Sequence, residues 1–403
     1  MRKAMLAFAG LLIMLALLVG FGACSRGTPS GMIEDKVIKI GGCVPLTGAV
    51  AYWGISTDQA WKDGAEVINA RGGVKVGNKN YMLKIIAYDS KGVTADAQTV
   101  TKRLIEKDKV KYIYNQAAAS TIGMLEISEP AKVLSSVACW GYLEHYGKKF
   151  PYHFRSEMSD YEQGFAYMPF VQKKYPGIKT AAFLGPDDKD GYDCYYSYQR
   201  LMKYYQVEDL GVEYFQWETT DFYPLVTKTL QKKPEMIITS PTPPGITASI
   251  VKAARELGFK GPVVSPGASE TKTILEVCGE QADGVVLPVT LETPVTQVQK
   301  DLGERFKKRF GEFNLYAGNL SWWVYALAEA FEKAGTFEDT TKVAAALQDV
   351  VLKDTYVGTA RYGGFGAYGI KRQGVYDCYT MLIEKQKGYL ADVRFPELPP
   401  GYD

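Results

Sequence analysis

The stretch IGGCVPLTGAVAYWG, residues 40–54, sets four glycines and a threonine between an apolar, strand-like run at Val37 to Ile40 and a helix-like one. A strand that feeds a glycine-rich turn and then a helix opens a βα unit, and such a turn presents backbone N–H groups where a ligand can approach. The turn either cradles a phosphate for chemistry or walls a ligand that is only carried. It lacks the lysine that a P-loop needs, which removes the phosphate-cradle reading.

Working outward, the alternation persists. Residues 56–70 place Ala60, Gly64, Val67 and Ile68 at i, i+4, i+7 and i+8, one face of a helix closed by ARGG. LKIIAYD (83–89) is β-rich, and TADAQTVTKRLIEKD sets Ala97, Val100 and Leu104 on one side with Thr94 as N-cap. KYIY, a helix over 120–131 and KVLSS complete the series. It restarts with the strands TAAFLG (180–185), GVEYFQW (211–217), EMIITS (235–240) and GPVVS (261–265), with helices from about 193, after Asp221 and over 246–257. Residues 296–350 are mainly helical, and from Tyr356 the chain is β-like, with VYDCYTMLIEKQKGYLADV as a hairpin. Two βα series predict an α/β fold of two Rossmann-like lobes, each a parallel sheet with helices on both faces.

At 403 residues the chain is long enough for two domains, and a formal net charge of +2 leaves no footprint for nucleic acid. Met1-Arg2-Lys3 followed by an uncharged run over 4–24 reads as an export signal, excluded from the fold. The run ends in Phe21-Gly22-Ala23-Cys24, which resembles a lipoprotein cleavage site with Cys24 as the acylated residue; soluble secretion and an uncleaved anchor are the alternatives, and all three place the body outside the cytoplasm. Residues 25–36 are a polar tether. Beyond Cys24, the five cysteines 43, 139, 194, 278 and 378 are an odd number, so at least one is unpaired and no particular disulfide is predicted; their spacings are too wide for a redox or zinc motif, and no metal site is called for.

Enzyme motifs are sparse. GFGAYG (364–369) matches G-x-G-x-x-G but no helix follows it, so it reads as a glycine-rich connection and no cofactor is called for. Cys139 and His145 could form a thiol–imidazole pair; a buried cysteine near a surface histidine is the bland reading. Candidate ligand positions are the turns at strand C-terminal ends: PLTGAVAYWG, NQAAAST (115–121), SVACWGY (136–142), GPDDKDGYD (185–193), SPTPPG (240–245) and SPGASE (265–270). Trp53, Trp140, Tyr142 and Tyr192 could supply apolar walls.

The order of IKIGGCVPLTGAVAYWG, DGAEVINARGGV, KYIYNQAAAST, FRSEMSDYEQG, KAARELGFKGPVVSPG and GEQADGVVL resembles the type I periplasmic binding proteins of the branched-chain amino-acid group over about residues 37–390. The resemblance implies two lobes closing on a small-molecule ligand, joined by three crossovers near 158, 290 and 360. It divides the chain into 1–23, a signal peptide; 24–36, a lipid-anchored tether; 37–158 plus 291–360, the N-terminal lobe; and 159–290 plus 361–403, the C-terminal lobe. It implies membrane contact through the Cys24 lipid and delivery of a branched-chain amino acid, or a related carboxylate, to the permease subunits of an ABC transporter. A sensor of the same fold feeding a membrane receptor, and an enzyme using Cys139 and His145, are the alternatives.

Carried over by position, the family's carboxylate-holding serine falls at Ala119, with Ser120 and Thr121 adjacent, and its threonine-bearing turn at Cys139, Trp140 and Gly141. One ammonium-binding acid falls on Asp160, which could equally serve as an N-cap. Binding tyrosines fall at Tyr192 and near Pro243, and the second acid at Gly267, with Glu270 the nearest replacement. A buried ammonium needs anionic partners, so the lost acid opens the pocket to ammonium-free carboxylates.

Overall fold

This computed structural model describes residues 36–48, 50–140, 147–267, 270–288, 291–311, 313 and 315–403. The export segment, Cys24, Gly141 and His145 lie outside these residues.

Strands β1 (Val37–Val44), β2 (Val74–Val76), β3 (Lys79–Asp89), β4 (Tyr112–Gln116), β5 (Leu134–Ala138), β6 (His153–Arg155), β12 (Val351–Thr355), β13 (Gly358–Gly363) and β14 (Gln373–Tyr376) form a nine-stranded sheet ordered β12-β13-β14-β6-β5-β4-β1-β3-β2. Its centre is parallel, with β1 between β3 and β4 and β5 between β4 and β6. Strands β7 (Thr180–Pro186), β8 (Glu208–Phe215), β9 (Met236–Thr239), β10 (Val263–Val264), β11 (Val285–Leu287), β15 (Cys378–Glu384) and β16 (Lys387–Arg394) form a seven-stranded sheet ordered β16-β15-β11-β10-β9-β7-β8. Here β7 to β11 are parallel, and β15 and β16 add an antiparallel edge. The two-lobed α/β architecture expected from the alternating pattern is thus present.

The last passage between sheets is displaced from its expected place near 360. β13 and β14 pair antiparallel in the first sheet, with Ala360 opposite Tyr376, and the chain reaches the second sheet only at Cys378. The glycines of GFGAYG explain this: Gly364 and Gly369 have φ of +90° and +71°, conformations that favour glycine, and they fold the chain back onto its own sheet. Gly366 is required for another reason, since a Cβ there would collide with the carbonyl oxygen of Gly401.

Local expectations shift in two further places. The helix expected over 56–70 spans Ala51–Ala70, which puts Tyr52 and Trp53 on its first turn. Thr94 begins the Thr94–Glu106 helix without capping it; the cap residue is Val93, and the Thr94 hydroxyl donates to the carbonyl of Ala119 at 3.0 Å. The opening turn is pinned by Asp89 at the end of β3, whose carboxylate accepts from the Leu46 N–H at 2.8 Å and the Thr47 hydroxyl at 2.6 Å. The hydrogen-bonding groups of that turn therefore serve the fold. In the first-lobe core Trp61 stacks on Tyr114 with ring centroids 4.7 Å apart and meets Trp323 edge-on at 4.2 Å, the geometry that aromatic quadrupoles favour.

Candidate functional site

The C-terminal ends of parallel strands in both sheets converge on one cavity of about 290 Å³. From the first lobe it is lined by Val50, Trp53, Lys91, Gly92, residues 116–119, Cys139 and Trp140; from the second by Asp188, Asp190 and Trp217. Cavities of about 650 and 370 Å³ are larger, but each is lined by first-lobe residues alone, so closure of the lobes could not enclose a ligand in them.

The first-lobe wall is built by the turn from β4 into the Ala118–Ser128 helix. Ala117 holds φ of +76°, sparsely populated by a residue with a side chain, and this bend brings the helix N-terminus to the cavity. The first N–H groups of a helix have no partner within the helix, and together with its dipole such an end can receive a carboxylate. Gln116, at the end of β4, is held by the Thr57 hydroxyl, which donates to its Oε1 at 3.0 Å.

The remaining walls are aromatic. Trp53 meets Trp140 at 5.6 Å with planes 68° apart, and Trp217 at 5.8 Å and 79°. Both Trp53 and Trp140 are buried, and their indole N–H groups have no acceptor among the described residues. Arg155 fixes the Trp140 backbone, its Nη1 donating to the Trp140 carbonyl at 3.2 Å. Contacts reach across the lobes: the Cys139 thiol donates to Asp190 Oδ1 at 3.9 Å, and the Tyr52 hydroxyl to Glu270 Oε1 at 3.3 Å.

Of the residues singled out from the sequence, Trp53, Ala119, Cys139 and Trp140 line the cavity, and Gly267 packs against the Trp140 indole from the second lobe. Ser120 turns away, fully buried, sharing a hydrogen bond with Ser90 at 3.2 Å. Tyr192 stands outside and is 45% exposed, its hydroxyl donating to Asp187 Oδ1 at 2.6 Å. Pro243 precedes the Pro244–Glu256 helix and does not reach the cavity. No thiol–imidazole pair involving Cys139 occurs among the described residues.

Asp160 is buried and does not line the cavity. The N-cap role considered for it belongs to Ser159, which forms a capping box with Glu162 at the start of the Asp160–Lys174 helix. Burial pushes the Asp160 carboxyl up to about 7, opposed by the Cys194 thiol and the Arg155 guanidinium and reinforced by Glu162. Neighbouring Glu157 is raised well above the carboxylate range, chiefly by burial, and its Oε2 accepts from the Tyr316 hydroxyl at 2.7 Å.

Sequence reading missed Lys91, Gln116, Asp188, Asp190 and Trp217 as lining residues. Asp188 and Asp190 lie within the GPDDKDGYD turn that was singled out, whereas Trp217 had only its aromatic character and its place at a strand end to mark it.

Residues 37–383 match the family model described as periplasmic binding protein. The fold is similar to that of a leucine-binding protein from Thermotoga maritima, with TM-score 0.72, 19% identity, and 89% of this chain and 99% of that one covered. It is also similar to a branched-chain amino-acid transporter substrate-binding protein from Streptococcus pneumoniae in complex with isoleucine, with TM-score 0.71, 20% identity and coverage of 90% and 100%. A third similar structure is a solute-binding protein of an ABC transporter from Rhodopseudomonas palustris in complex with 3,4-dihydroxybenzoic acid, with TM-score 0.73, 21% identity and coverage of 91% and 99%. With two parallel-centred sheets meeting at one two-sided cavity, this chain belongs to the periplasmic binding protein family.

Proposed function

We propose that this chain is the extracytoplasmic substrate-binding component of an ABC importer. It closes its lobes on a small carboxylate with an apolar or aromatic body and presents the closed form to the permease. The observation that carries this reading is the cavity lined from both lobes, because a ligand that touches both walls favours the closed state by its differential contacts. The carboxylate goes to the N-terminus of the Ala118–Ser128 helix and the body to the tryptophans. The acceptor-free indole N–H groups of Trp53 and Trp140 fit a solute rich in oxygen. No bond is made or broken.

An α-amino acid is the second reading, favoured by Asp190 on the wall opposite that helix. Thermal-shift titration of the full-length protein with leucine, 4-methylpentanoate and benzoate separates the two. A solute at 100 times its dissociation constant stabilises the native state by about 2.7 kcal/mol. A shift with leucine alone assigns Asp190 an ammonium; a shift with the ammonium-free acids makes the site a carboxylate pocket; no shift with any of them sinks both. Acylation of Cys24 would anchor the protein at the membrane, and unchanged lipid labelling of Cys24→Ser overturns that assignment.

A further inference from the structure

We infer that Asp188 is a positioning residue for ligand selection: it holds Trp217 edge-on to Trp53 and so sets the second-lobe wall of the cavity, an inference that rests on the solute-binding role proposed above. Asp188 stands after β7 as the N-cap of the Lys189–Tyr204 helix, and its Oδ1 accepts from the Gly191 N–H at 2.9 Å. Its other oxygen, Oδ2, accepts from the Trp217 indole N–H at 2.8 Å. One carboxylate thus fixes both the start of a helix and an aromatic ring of the cavity.

The residues beside this pair reinforce it. The Asp187 N–H donates to the Phe215 carbonyl at 2.7 Å, and Gln216 Nε2 donates to Asp187 Oδ2 at 3.0 Å. The turn after β7 is therefore stapled to the end of β8 at three successive residues, Phe215, Gln216 and Trp217. Trp217 lies beyond β8 outside regular structure, where side-chain packing alone leaves several rotamers open. A hydrogen bond to an ionised carboxylate is roughly twice as strong as a neutral one and selects one of them. Gly191 belongs to the device, since a Cβ there would collide with the Pro186 carbonyl and push the helix start away from Asp188.

The consequence is for ligand shape. With the Trp217 edge fixed against Trp53, the tryptophan walls stand at steep angles and Trp217 cannot swing away from Trp53 without breaking the Asp188 bond. A flat body passes along the indole faces, whereas a branched one has to displace Trp217. The site therefore favours planar carboxylates over branched aliphatic ones of similar size.

The test uses Asp188→Ser, because serine caps a helix about as well as aspartate but is too short to reach the Trp217 indole. Two quantities are measured on the full-length protein: acrylamide quenching of tryptophan emission without ligand, and the ratio of affinities for benzoate and 4-methylpentanoate. Asp188→Ser is expected to fold with a melt lowered by no more than the loss of the one indole hydrogen bond, to quench more readily, and to lose about tenfold of the preference for benzoate. In a Trp217→Phe background, the same substitution should change neither quantity. Wild-type quenching and ratio in Asp188→Ser, or equal changes in the Trp217→Phe background, overturn the inference. Wild-type protein that binds neither acid overturns the carboxylate reading and with it the ligand preference, and quenching of the ligand-free protein still decides whether Asp188 fixes the indole.

Discussion

Gly267 of the second lobe lies so close to Trp140 of the first that a Cβ on Gly267 would stand 3.2 Å from the indole Cζ2 and 3.0 Å from the Cβ of Pro241. The backbone there has φ of +91°, a conformation that residues with a side chain rarely adopt. An acid at 267, where the resemblance would place it, therefore needs both a strained backbone and a shift of the Trp140 indole by a few tenths of an ångström.

Gly267→Glu should therefore fail to restore an ammonium site and should lower stability by about 1–3 kcal/mol through backbone strain and crowding. Trp140→Ala in the same chain relieves the crowding by the indole but neither that by Pro241 nor the strain. Urea unfolding of the single and double variants measures this, and a single variant as stable as wild type contradicts the contact.

Asp160 makes stability depend on pH in a stated direction. Its carboxyl titrates at about 7 in the folded protein, above the unfolded value, so the native state binds the extra proton. That contribution is complete below the unfolded pKa, near 4, and is lost as pH rises through 7. Asp160→Asn should flatten the part of the profile between pH 4 and 7 that it causes and gain about 1–3 kcal/mol at pH 8, because an uncompensated buried charge is removed. Chemical denaturation at pH 5 and pH 8 compares the two proteins, and an unchanged difference would show that Asp160 does not carry it. Glu157, also raised by burial, supplies a residual slope of the same sign.

Tyr402 ties elements of both lobes to one buried carboxylate. Glu162 Oε1, on the second-lobe helix, accepts from the Tyr402 hydroxyl at 2.8 Å and from that of Tyr368, in the β13–β14 connection of the first lobe, at 2.7 Å. The GFGAYG turn supports the same segment, with the Gly366 N–H donating to the Tyr402 carbonyl at 2.9 Å. Tyr402→Phe removes a hydrogen bond to a charged group and should cost about 1.5–3 kcal/mol. Hydrogen exchange over 364–369 should accelerate with it, and wild-type protection there would show that the turn does not depend on Tyr402.

The five described cysteines are buried and form no disulfide with one another, and burial pushes the Cys43 thiol up to about 12 and that of Cys278 up to about 11. A thiol so rarely ionised is a poor nucleophile. A chromogenic disulfide reagent at pH 8 should leave these thiols unmodified in the native protein and titrate all five in denaturant. Rapid native reaction at any of them would mean that its surroundings open.

Much of the fold was legible because its signals are local. The apolar spacing of Ala60, Gly64 and Ile68 marks a buried helix face whichever sheet it packs on, and the strand-like runs recur in two series. Boundaries set by long-range partners were not legible: the Thr94 hydroxyl caps nothing because the Ala119 carbonyl, a partner on another helix, takes it. The third crossing moved for the same reason, since a glycine-rich connection between antiparallel strands and a passage between lobes look alike until β14 has its partner.

For the site, the sequence by itself pointed to the turns at the strand ends and brought Trp53, Ala119, Cys139 and Trp140, which line the cavity, into view. Only the tertiary structure decided that Trp217 and Asp188 join them while Ser120, Tyr192 and Pro243 do not. The physical reason is strand order. Asp188 reaches Trp217 because β8 lies beside β7, and Trp217 reaches Trp53 because the two sheets bring their C-terminal ends together. Periodicity fixes which face of an element is buried, but distances between lobes depend on pairing and packing that no single segment encodes.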